Sequence, residues 1–484
     1  MLASIHTRVI LACLVVTLFA TGETVDATVT AFHTDLPVDH AKGTVLDISG
    51  AIRAVVETDA NGAFRAGGLT PGRYRLEITK PGYTPALVFF SVPSALDKFR
   101  IRLAKYGVIS GMVRTAAGAP AAGASVVALI TPPNASSLVR SSVAPARTDD
   151  RGHYRLHGLP PGAYTLVAIR SDSRGGGSAI PVSEVSSLYR IFAGEEYRNV
   201  DLSLRAAGAH SLAGRVSPPA PGGVVMVSLA PRELPGVVIA HAPAHADGSF
   251  RFESVPAEPL VVRAAGSFGS LVNGVWGVEP IAPPLYGSRV LALLHPGDEL
   301  AVPLSGPATT AFRLDFPGPT GECPPSATLH LAAIDSWGGN VDREVQIEAG
   351  APVRISGLAP GRYLAKISGL PASCHHVGDP VVDLEGTLAE TLVIRLASAA
   401  SVEGGVDRNE GLPVVLLWAE GASGLLLPDG QGRFFASGLR PGEYRFLIVP
   451  PSAWADGRGI PSPENWPQRQ LPAGVSEWEL LVSP

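Results

Sequence analysis

Apolar and polar residues alternate along most of the chain, and the alternation restarts after a recurring Pro-Gly turn. After the first turn, Tyr74, Leu76 and Ile78 fall on one face of an extended segment. The same period of two follows later copies of the turn, over 164–168 and 444–448. This period is typical of strands that bury one face. Because helical periodicity with capping residues is absent beyond the N-terminal apolar segment, the pattern predicts an all-β protein.

A seven-residue phrase precedes each of these strands. It reads Gly68-Leu-Thr-Pro-Gly-Arg-Tyr74, with copies at 158–164, 357–363 and 438–444 and a degraded copy at 254–260. Proline followed by glycine suits the central positions of a type II turn, in which the second residue needs a positive φ. We therefore interpret the shared residues as structural turn anchors. They are Gly68, Pro71, Gly72, Tyr74, Gly158, Pro161, Gly162, Tyr164, Gly357, Pro360, Gly361, Tyr363, Gly438, Pro441, Gly442 and Tyr444.

A second recurring signal lies ahead of the phrase in four of its five copies, as in Thr58-Asp-Ala-Asn-Gly-Ala-Phe64, and it returns at 148–154, 245–250 and 429–434. An Asp or Asn near a Gly indicates a hairpin turn, and the aromatic residue opens the next strand. Regular recurrence of both signals predicts a tandem array, which we expect to form a semi-rigid rod because the links are short. The predicted segments are a signal peptide at 1–27 and β-sandwiches at 28–104, 105–205, 206–306, 307–398 and 399–484.

The first 27 residues have the pattern of an export signal. His6 and Arg8 precede an apolar run over 9–20, which is too short to span a bilayer as a mature helix. Cleavage could follow 20–22 or 25–27, and the sequence does not choose between them. Cys13 lies inside the apolar run, which disfavours lipid attachment there. We expect an exported protein, periplasmic, on the outer surface or secreted, with no membrane span after signal removal.

Composition excludes several classes of partner and chemistry. Charged residues make up 17% of the chain and the net charge is −5, without a basic patch, so nucleic acid is not expected as a partner. The 54 glycines and 44 prolines sit at turn positions between apolar alternations, which favours folded β-structure over disorder. Nucleophile-elbow, phosphate-loop and dinucleotide motifs are absent from the sequence. We therefore predict no catalytic residues, no cofactor and no enzyme activity.

The cysteines outside the signal segment both fall in the fourth predicted sandwich. In an exported protein, Cys323 and Cys374 indicate a structural disulfide more often than a redox or metal site. Two alternative metal clusters are less favoured. In 241–247 a proline separates the histidines and argues against a helix that would align them, and 374–379 uses a cysteine of the predicted disulfide. We predict no metal site.

The motifs together resemble a known domain family. The second segment carries Ser110-Gly-Met-Val, then Gly118-Ala-Pro, Thr148-Asp-Asp-Arg-Gly-His-Tyr154 and Gly158-Leu-Pro-Pro-Gly-Ala-Tyr164, a set that resembles the carboxypeptidase regulatory-like domain family. The resemblance is strong in the second and fifth segments, partial in the first and fourth, and weak in the third. It implies seven-strand transthyretin-like (prealbumin-like) sandwiches, in the group of carbohydrate-binding-like folds, which act as non-catalytic accessory modules.

The functional hypothesis follows from that resemblance and from the absence of a catalytic segment. We expect a non-catalytic, exported binding or adhesion protein of the cell envelope, whose partner is a glycan or an envelope protein. Trp454 and Trp466 lie in a Pro/Gly-rich loop and are the candidate carbohydrate-binding residues, because aromatic faces stack on sugar rings. One alternative is a purely structural spacer that positions a partner. A hydrolase whose site is assembled from distant residues is the least favoured alternative.

Overall fold

A computed structural model describes most of the chain, and β-strands dominate it. Apart from the strands it has one short 3₁₀ turn, Pro463–Asn465. No helix in this part is both long enough and apolar enough to cross a membrane. The prediction of an all-β protein is confirmed. The described residues are 22–32, 34–93, 98–131, 138–170, 178–191, 194–217, 224–234, 236–267, 271–272, 275–276, 285–292, 299–316, 323–334, 342–371, 373–384, 391–407, 412–419, 422–450 and 463–480.

The strands are grouped below by the five predicted segments, called units one to five. Unit one contains β1 (Glu23–Ala31), β2 (Lys42–Asp47), β3 (Ile52–Glu57), β4 (Ala63–Leu69), β5 (Gly72–Thr79), β6 (Ala86–Val92) and β7 (Lys98–Leu103). Unit two contains β8 (Gly107–Arg114), β9 (Ser125–Ile130), β10 (Val139–Arg140), β11 (Ala146–Arg147), β12 (His153–Leu159), β13 (Gly162–Ile169), β14 (Tyr189–Ile191), β15 (Glu196–Tyr197) and β16 (Leu202–Ser203). Unit three contains β17 (His210–Ser217), β18 (Val224–Pro231), β19 (Ala240–Pro243), β20 (Ser249–Val255), β21 (Leu260–Ser267), β22 (Leu271–Val272), β23 (Val275–Trp276), β24 (Leu285–Leu291) and β25 (Glu299–Pro303).

The remaining strands continue the same order. Unit four contains β26 (Ala308–Asp315), β27 (Ser326–Ala333), β28 (Arg343–Glu348), β29 (Val353–Leu358), β30 (Arg362–Ser368), β31 (Cys374–Val377), β32 (Val381–Asp383) and β33 (Thr391–Ser398). Unit five contains β34 (Ala400–Val406), β35 (Val414–Ala419), β36 (Ala422–Leu426), β37 (Arg433–Leu439), β38 (Gly442–Val449), β39 (Gln468–Leu471) and β40 (Gly474–Leu480).

The units share one two-sheet arrangement. In one sheet the opening strand is central, as in β4-β1-β7 and β37-β34-β40. It pairs antiparallel with the strand that leads into the Pro-Gly phrase (β4, β37) and parallel with the closing strand of the unit (β7, β40). In the other sheet the order is that of β3-β2-β5-β6 and, in unit four, β28-β27-β30-β32. Tyr74, Leu76 and Ile78 of β5 are buried, as their alternation predicted.

Unit one begins earlier than the predicted boundary at residue 28. β1 already starts at Glu23 and pairs with both β4 and β7. Val25 and Ala27 are buried in the core of unit one. Of the two predicted cleavage positions, only the one that follows residues 20–22 leaves β1 intact.

The first and last units form one continuous sheet. β6 of unit one pairs in parallel with β36 of unit five, with Leu87 opposite Gly424 and Phe89 opposite Leu426. The result is an eight-stranded sheet in the order β3-β2-β5-β6-β36-β35-β38-β39. The prediction of a semi-rigid rod is therefore wrong as to shape, because the two ends of the array pair with each other. Pairing two free sheet edges satisfies backbone groups that would otherwise be exposed, and this favours closure of the array.

Apolar cores also extend across other unit boundaries. Val127 and Leu129 of unit two belong to the same buried cluster as Val227 and Leu229 of unit three. Tyr286 of unit three is part of the core of unit four. Because these boundaries are packed like domain interiors, neighbouring units cannot rotate freely against each other.

The Pro-Gly phrase has a different turn geometry from the predicted one. Gly72 and Gly162, which follow the prolines, begin strands and lack a positive φ. The corresponding Gly361 and Gly442 have φ of 139° and 158°, far from the type II value. The left-handed residue is instead the first glycine of the phrase, with φ of 77° at Gly68, 81° at Gly158, 77° at Gly357 and 72° at Gly438. In the degraded copy, Ser254 adopts the same conformation, with φ of 56°.

The tyrosine that ends the phrase anchors the turn from inside. Its hydroxyl donates a hydrogen bond to the backbone carbonyl four residues earlier, so the chain is fixed where it enters the strand. The donor–acceptor distances are 2.7 Å from Tyr74 to Thr70, 2.9 Å from Tyr164 to Pro160 and 2.9 Å from Tyr363 to Ala359. This contact explains why the phrase ends in tyrosine, since phenylalanine would leave that carbonyl without its donor.

The Asp/Gly signal forms a compact turn in which the aspartate carboxylate accepts hydrogen bonds from backbone amides of the turn. Oδ1 of Asp149 accepts hydrogen bonds from the amides of Arg151 at 2.9 Å and His153 at 2.8 Å. The amide of Val113 donates to the Gly152 carbonyl at 2.8 Å, which joins the turn to the opening strand. Asp59 and Asp429 have the same Oδ1 contacts, so these aspartates act in turns.

Gly152→Ala should destabilise unit two more than Gly118→Ala. Both glycines have a left-handed φ, 79° and 81°, so alanine costs about 1–2 kcal/mol at either position. A Cβ at Gly152 would also lie 2.6 Å from the Val113 carbonyl oxygen, whereas a Cβ at Gly118 meets nothing within 4 Å. Thermal unfolding of the two variants measures the difference. Equal losses of stability would show that the backbone shifts to separate the new Cβ from the Val113 carbonyl oxygen without a further cost in free energy.

Candidate functional site

The predicted tryptophan pair is not seen as an exposed platform. Trp454 lies outside the described residues. Trp466 is 8% exposed, so little of its ring is available for stacking on a sugar. The aromatic-platform hypothesis therefore has only Trp454 left as its candidate.

The two cysteines of unit four are bonded to each other. Their Cα atoms are 5.6 Å apart, and the bridge spans 51 residues of sequence. It fixes the start of β31 to the loop ahead of β27. Because its thiol is used in the bridge, Cys374 is not a thiolate ligand for a metal.

The histidines beside that cysteine face unit five. Burial lowers the pKa of both His375 and His376, and the cationic Arg440 of unit five lowers each pKa further. A lowered pKa favours neutral imidazole. Within the described part of the chain, no group of three His, Cys, Asp or Glu side chains is placed to hold a metal ion.

The most distinctive local structure is the closing seam, defined as β6, β36 and the side chains packed across them. Phe89 on β6 is 1% exposed and belongs to the core of unit five. In return, Leu425 and Leu427 of unit five belong to the core of unit one. The amide of Leu427 donates to the Phe89 carbonyl at 3.0 Å. Each unit therefore completes the core of the other.

At one position of the seam, unit five carries a phenylalanine where the other four units carry an arginine. Phe435 on β37 lies opposite Glu403 on β34. At the corresponding position, units one to four carry an arginine, which lies opposite a residue of the opening strand. These arginines are Arg65, Arg155, Arg251 and Arg354. In unit one, for example, Arg65 pairs with Asp26 at 2.7 Å.

Unit one supplies the arginine that unit five lacks. The guanidinium of Arg73 lies 3.1 Å from the Glu403 carboxylate and 4.7 Å from the centroid of the Phe435 ring. Phe89 meets the same ring edge to face, with centroids 6.3 Å apart. Ion pairing and cation–π attraction act together here, because one cation contacts both groups.

A cavity of about 250 Å³ opens beside this cluster. Ser401 and Ser437 of unit five line it, together with Ser373 of unit four and the Arg73–Glu403 pair. Three units meet at this point, so the cavity exists only in the closed array. Its lining offers hydrogen-bond donors and acceptors without an excess of either charge, which suits binding better than acid–base or nucleophilic chemistry.

Sequence reasoning missed this site, although one signal was present. Aligning the units at the Asp/Gly turn would have shown arginine after the aromatic residue in the first three units and phenylalanine in the fifth. That comparison identifies Phe435 as unusual. It does not identify Arg73 or Phe89 as its contacts, because both are far away in the chain.

Comparison with known families agrees with the two-sheet arrangement and its turns. Residues 24–96 and 108–184 match the model of the carboxypeptidase regulatory-like domain. These two segments are tandem carboxypeptidase regulatory-like domains. The resemblance predicted from the motifs is thereby confirmed for units one and two. The Asp/Gly turns and tyrosine anchors described above are features of these carboxypeptidase regulatory-like domains.

Solved structures give weaker likenesses. BcpA, the major pilin subunit of Bacillus cereus, is 13% identical with a TM-score of 0.18, covering 59% of this chain and 99% of its own. A streptococcal ancillary pilin is 10% identical, with a TM-score of 0.19, and the match covers 61% of this chain and 99% of the pilin. GBS52, the minor pilin of Streptococcus agalactiae, is 12% identical, with a TM-score of 0.23, and the match covers 38% of this chain and 96% of GBS52. At these values the likenesses support no functional assignment. No curated protein matches the chain.

Proposed function

We propose that this protein is a non-catalytic, exported, multi-domain protein of the cell envelope that acts in structure or adhesion. The observation that carries the proposal is the use of the recurring polar side chains. The carboxylate of Asp149 and the hydroxyl of Tyr164 are both occupied by backbone groups of their own turns. Residues repeated along the array thus maintain its framework and are not arranged around a substrate.

Export is supported by two independent features. The first 27 residues have the pattern of a secretory signal, and unit four contains the Cys323–Cys374 bond. Structural disulfides persist mainly in oxidising compartments outside the cytoplasm. A rigid array with shared cores suits a protein that presents or spaces surfaces outside the cell.

Cell fractionation tests the export part of the proposal. The full chain and a version lacking residues 2–22 are expressed in a cell with an oxidising export compartment. The full chain should be recovered outside the cytoplasm, trimmed at its N-terminus and oxidised at Cys323 and Cys374, and the shortened chain should remain inside and reduced. Retention of the full chain, untrimmed, in the cytoplasm would contradict export.

Envelope retention tests the adhesion part. Beads coated with the purified chain should retain isolated envelope fragments, and beads coated with reduced, heat-unfolded chain should not. Equal retention by both would contradict specific adhesion. Substrate turnover that disappears on changing one acidic or histidine residue would contradict the non-catalytic assignment.

Carbohydrate is the finer candidate for the ligand, and Trp454 is its remaining predicted contact. A glycan array compares the wild type with Trp454→Ala, and Trp466→Phe serves as a control that preserves a buried ring. A glycan retained by the wild type and by Trp466→Phe, but lost in Trp454→Ala, would support this candidate. No retained glycan would leave the purely structural spacer as the better description.

A further inference from the structure

We propose that the cavity where units one, four and five meet binds a small, neutral, polyhydroxylated ligand of monosaccharide size. The inference deepens the binding role proposed above and rests on the closed array. Six of the lining residues carry the argument: Ile48, Arg73, Ser401, Glu403, Ser437 and Val475.

The first step concerns the position of the cavity on unit five. Ser401 and Glu403 alternate on β34, so both side chains are on the face opposite the core residue Val402. Phe435 and Ser437 alternate on β37 in the same way, opposite the core residue Ala436. The outer face of this sheet is thus covered at one point by Arg73 of unit one, and the cavity remains beside it.

The second step concerns the hydrogen-bonding capacity of the lining. Among the described residues, neither the Ser401 nor the Ser437 hydroxyl has a hydrogen-bond partner. The side chains of Arg73 and Glu403 are 48% and 30% exposed, so both keep hydrogen-bonding capacity beyond their mutual contact. Donors and acceptors therefore converge on one small space. A ligand hydroxyl both donates and accepts, and so matches such a lining.

The third step concerns the apolar rim. Ile48 and Val475 are 61% and 71% exposed, among the most exposed large apolar side chains of the described residues, and both line this cavity. Single exposed apolar residues are common on protein surfaces, but two beside the serine, arginine and glutamate side chains of one cavity form the mixed lining typical of ligand sites. The C–H faces of a sugar ring would cover such side chains.

The fourth step bounds the charge and size of the ligand. The charges of Arg73 and Glu403 balance, so an anionic ligand would meet the carboxylate and a cationic ligand would meet the guanidinium. The cavity of about 250 Å³ is slightly below the usual range of ligand pockets, roughly 300–1,000 Å³. One ring fits this size better than an oligosaccharide.

The test titrates the mature full chain with glucose, galactose, mannose and N-acetylglucosamine, and with glucuronate as the anionic comparison, by ligand-observed NMR. Ser401→Val places a methyl group in the cavity and leaves the Arg73–Glu403 pair unchanged. Ser211→Val is the matched control, because Ser211 occupies the equivalent position on β17 of unit three and lines no part of this cavity.

At least one neutral sugar should bind the wild type, and Ser401→Val should weaken that binding at least tenfold while Ser211→Val changes it less than twofold. The proposal is overturned if no neutral sugar binds, if glucuronate binds more tightly than every neutral sugar, or if Ser401→Val binds like the wild type. Solution scattering on each variant verifies that the array is still closed. The fractionation and envelope-retention tests do not depend on sugar binding at this cavity. A negative titration would therefore overturn this site without contradicting the proposed export and adhesion.

Discussion

Phe89→Ala should open the array while each unit stays folded. Phe89 is 1% exposed, and its ring lies in the core of unit five although β6 belongs to unit one. Truncating a buried phenylalanine costs about 3–5 kcal/mol. Because this loss falls on the contact between units, the ratio of closed to open molecules should drop by roughly two to four orders of magnitude. Solution scattering should show a larger radius of gyration, with an unchanged far-ultraviolet circular dichroism spectrum.

Phe90→Ala is the matched control for this experiment. Phe90 is the next residue on β6, is 2% exposed, and points to the opposite face, into the core of unit one. Its truncation should lower the stability of unit one by a similar amount, yet leave the array closed at temperatures where that unit is folded. If both variants scatter like the wild type, the seam does not depend on Phe89. If both expand equally, loss of unit one, and not of the seam, explains the change.

Removing the disulfide of unit four should cause the second large effect. The bridge between Cys323 and Cys374 spans 51 residues, and closing a loop of that length in the unfolded chain corresponds to about 4 kcal/mol. For a domain of this size, that loss lowers the melting temperature by roughly 15–30 °C. Calorimetry of the double variant Cys323→Ser with Cys374→Ser measures the shift in the transition of unit four.

Reduction of the wild-type protein provides the control without any substitution. A reductant should lower the same transition of the wild type by a similar amount and leave the double serine variant unmoved. A wild-type transition that does not respond to reductant would show that the bridge adds no stability. The strands that close the array, β6 and β36, belong to units one and five, so the scattering profile should stay compact below that transition.

Several features of the molecule could be predicted from the sequence because they depend on neighbouring residues. Alternation of apolar residues placed Tyr74 and Leu76 in a core, and the Asp/Gly signal placed a turn at Asp149. The turn phrase was recognised, but its left-handed residue was assigned to the wrong glycine. Pro-Gly favours one turn type locally, whereas here the glycine after the proline already takes part in strand pairing, as Gly162 of β13 does opposite Ile191 of β14.

The sequence by itself determined the all-β class, the repeated two-sheet unit and its turns, since these follow from side-chain alternation and from local backbone preferences. Only the tertiary structure decided that unit five pairs with unit one and that Phe89 of unit one lies in the core of unit five. It also decided that Arg73 contacts Glu403, 330 residues later in the chain. The physical reason is that strand edges pair through backbone groups common to all residues. Which two edges meet therefore depends on the packing of the whole array and leaves little trace in either segment.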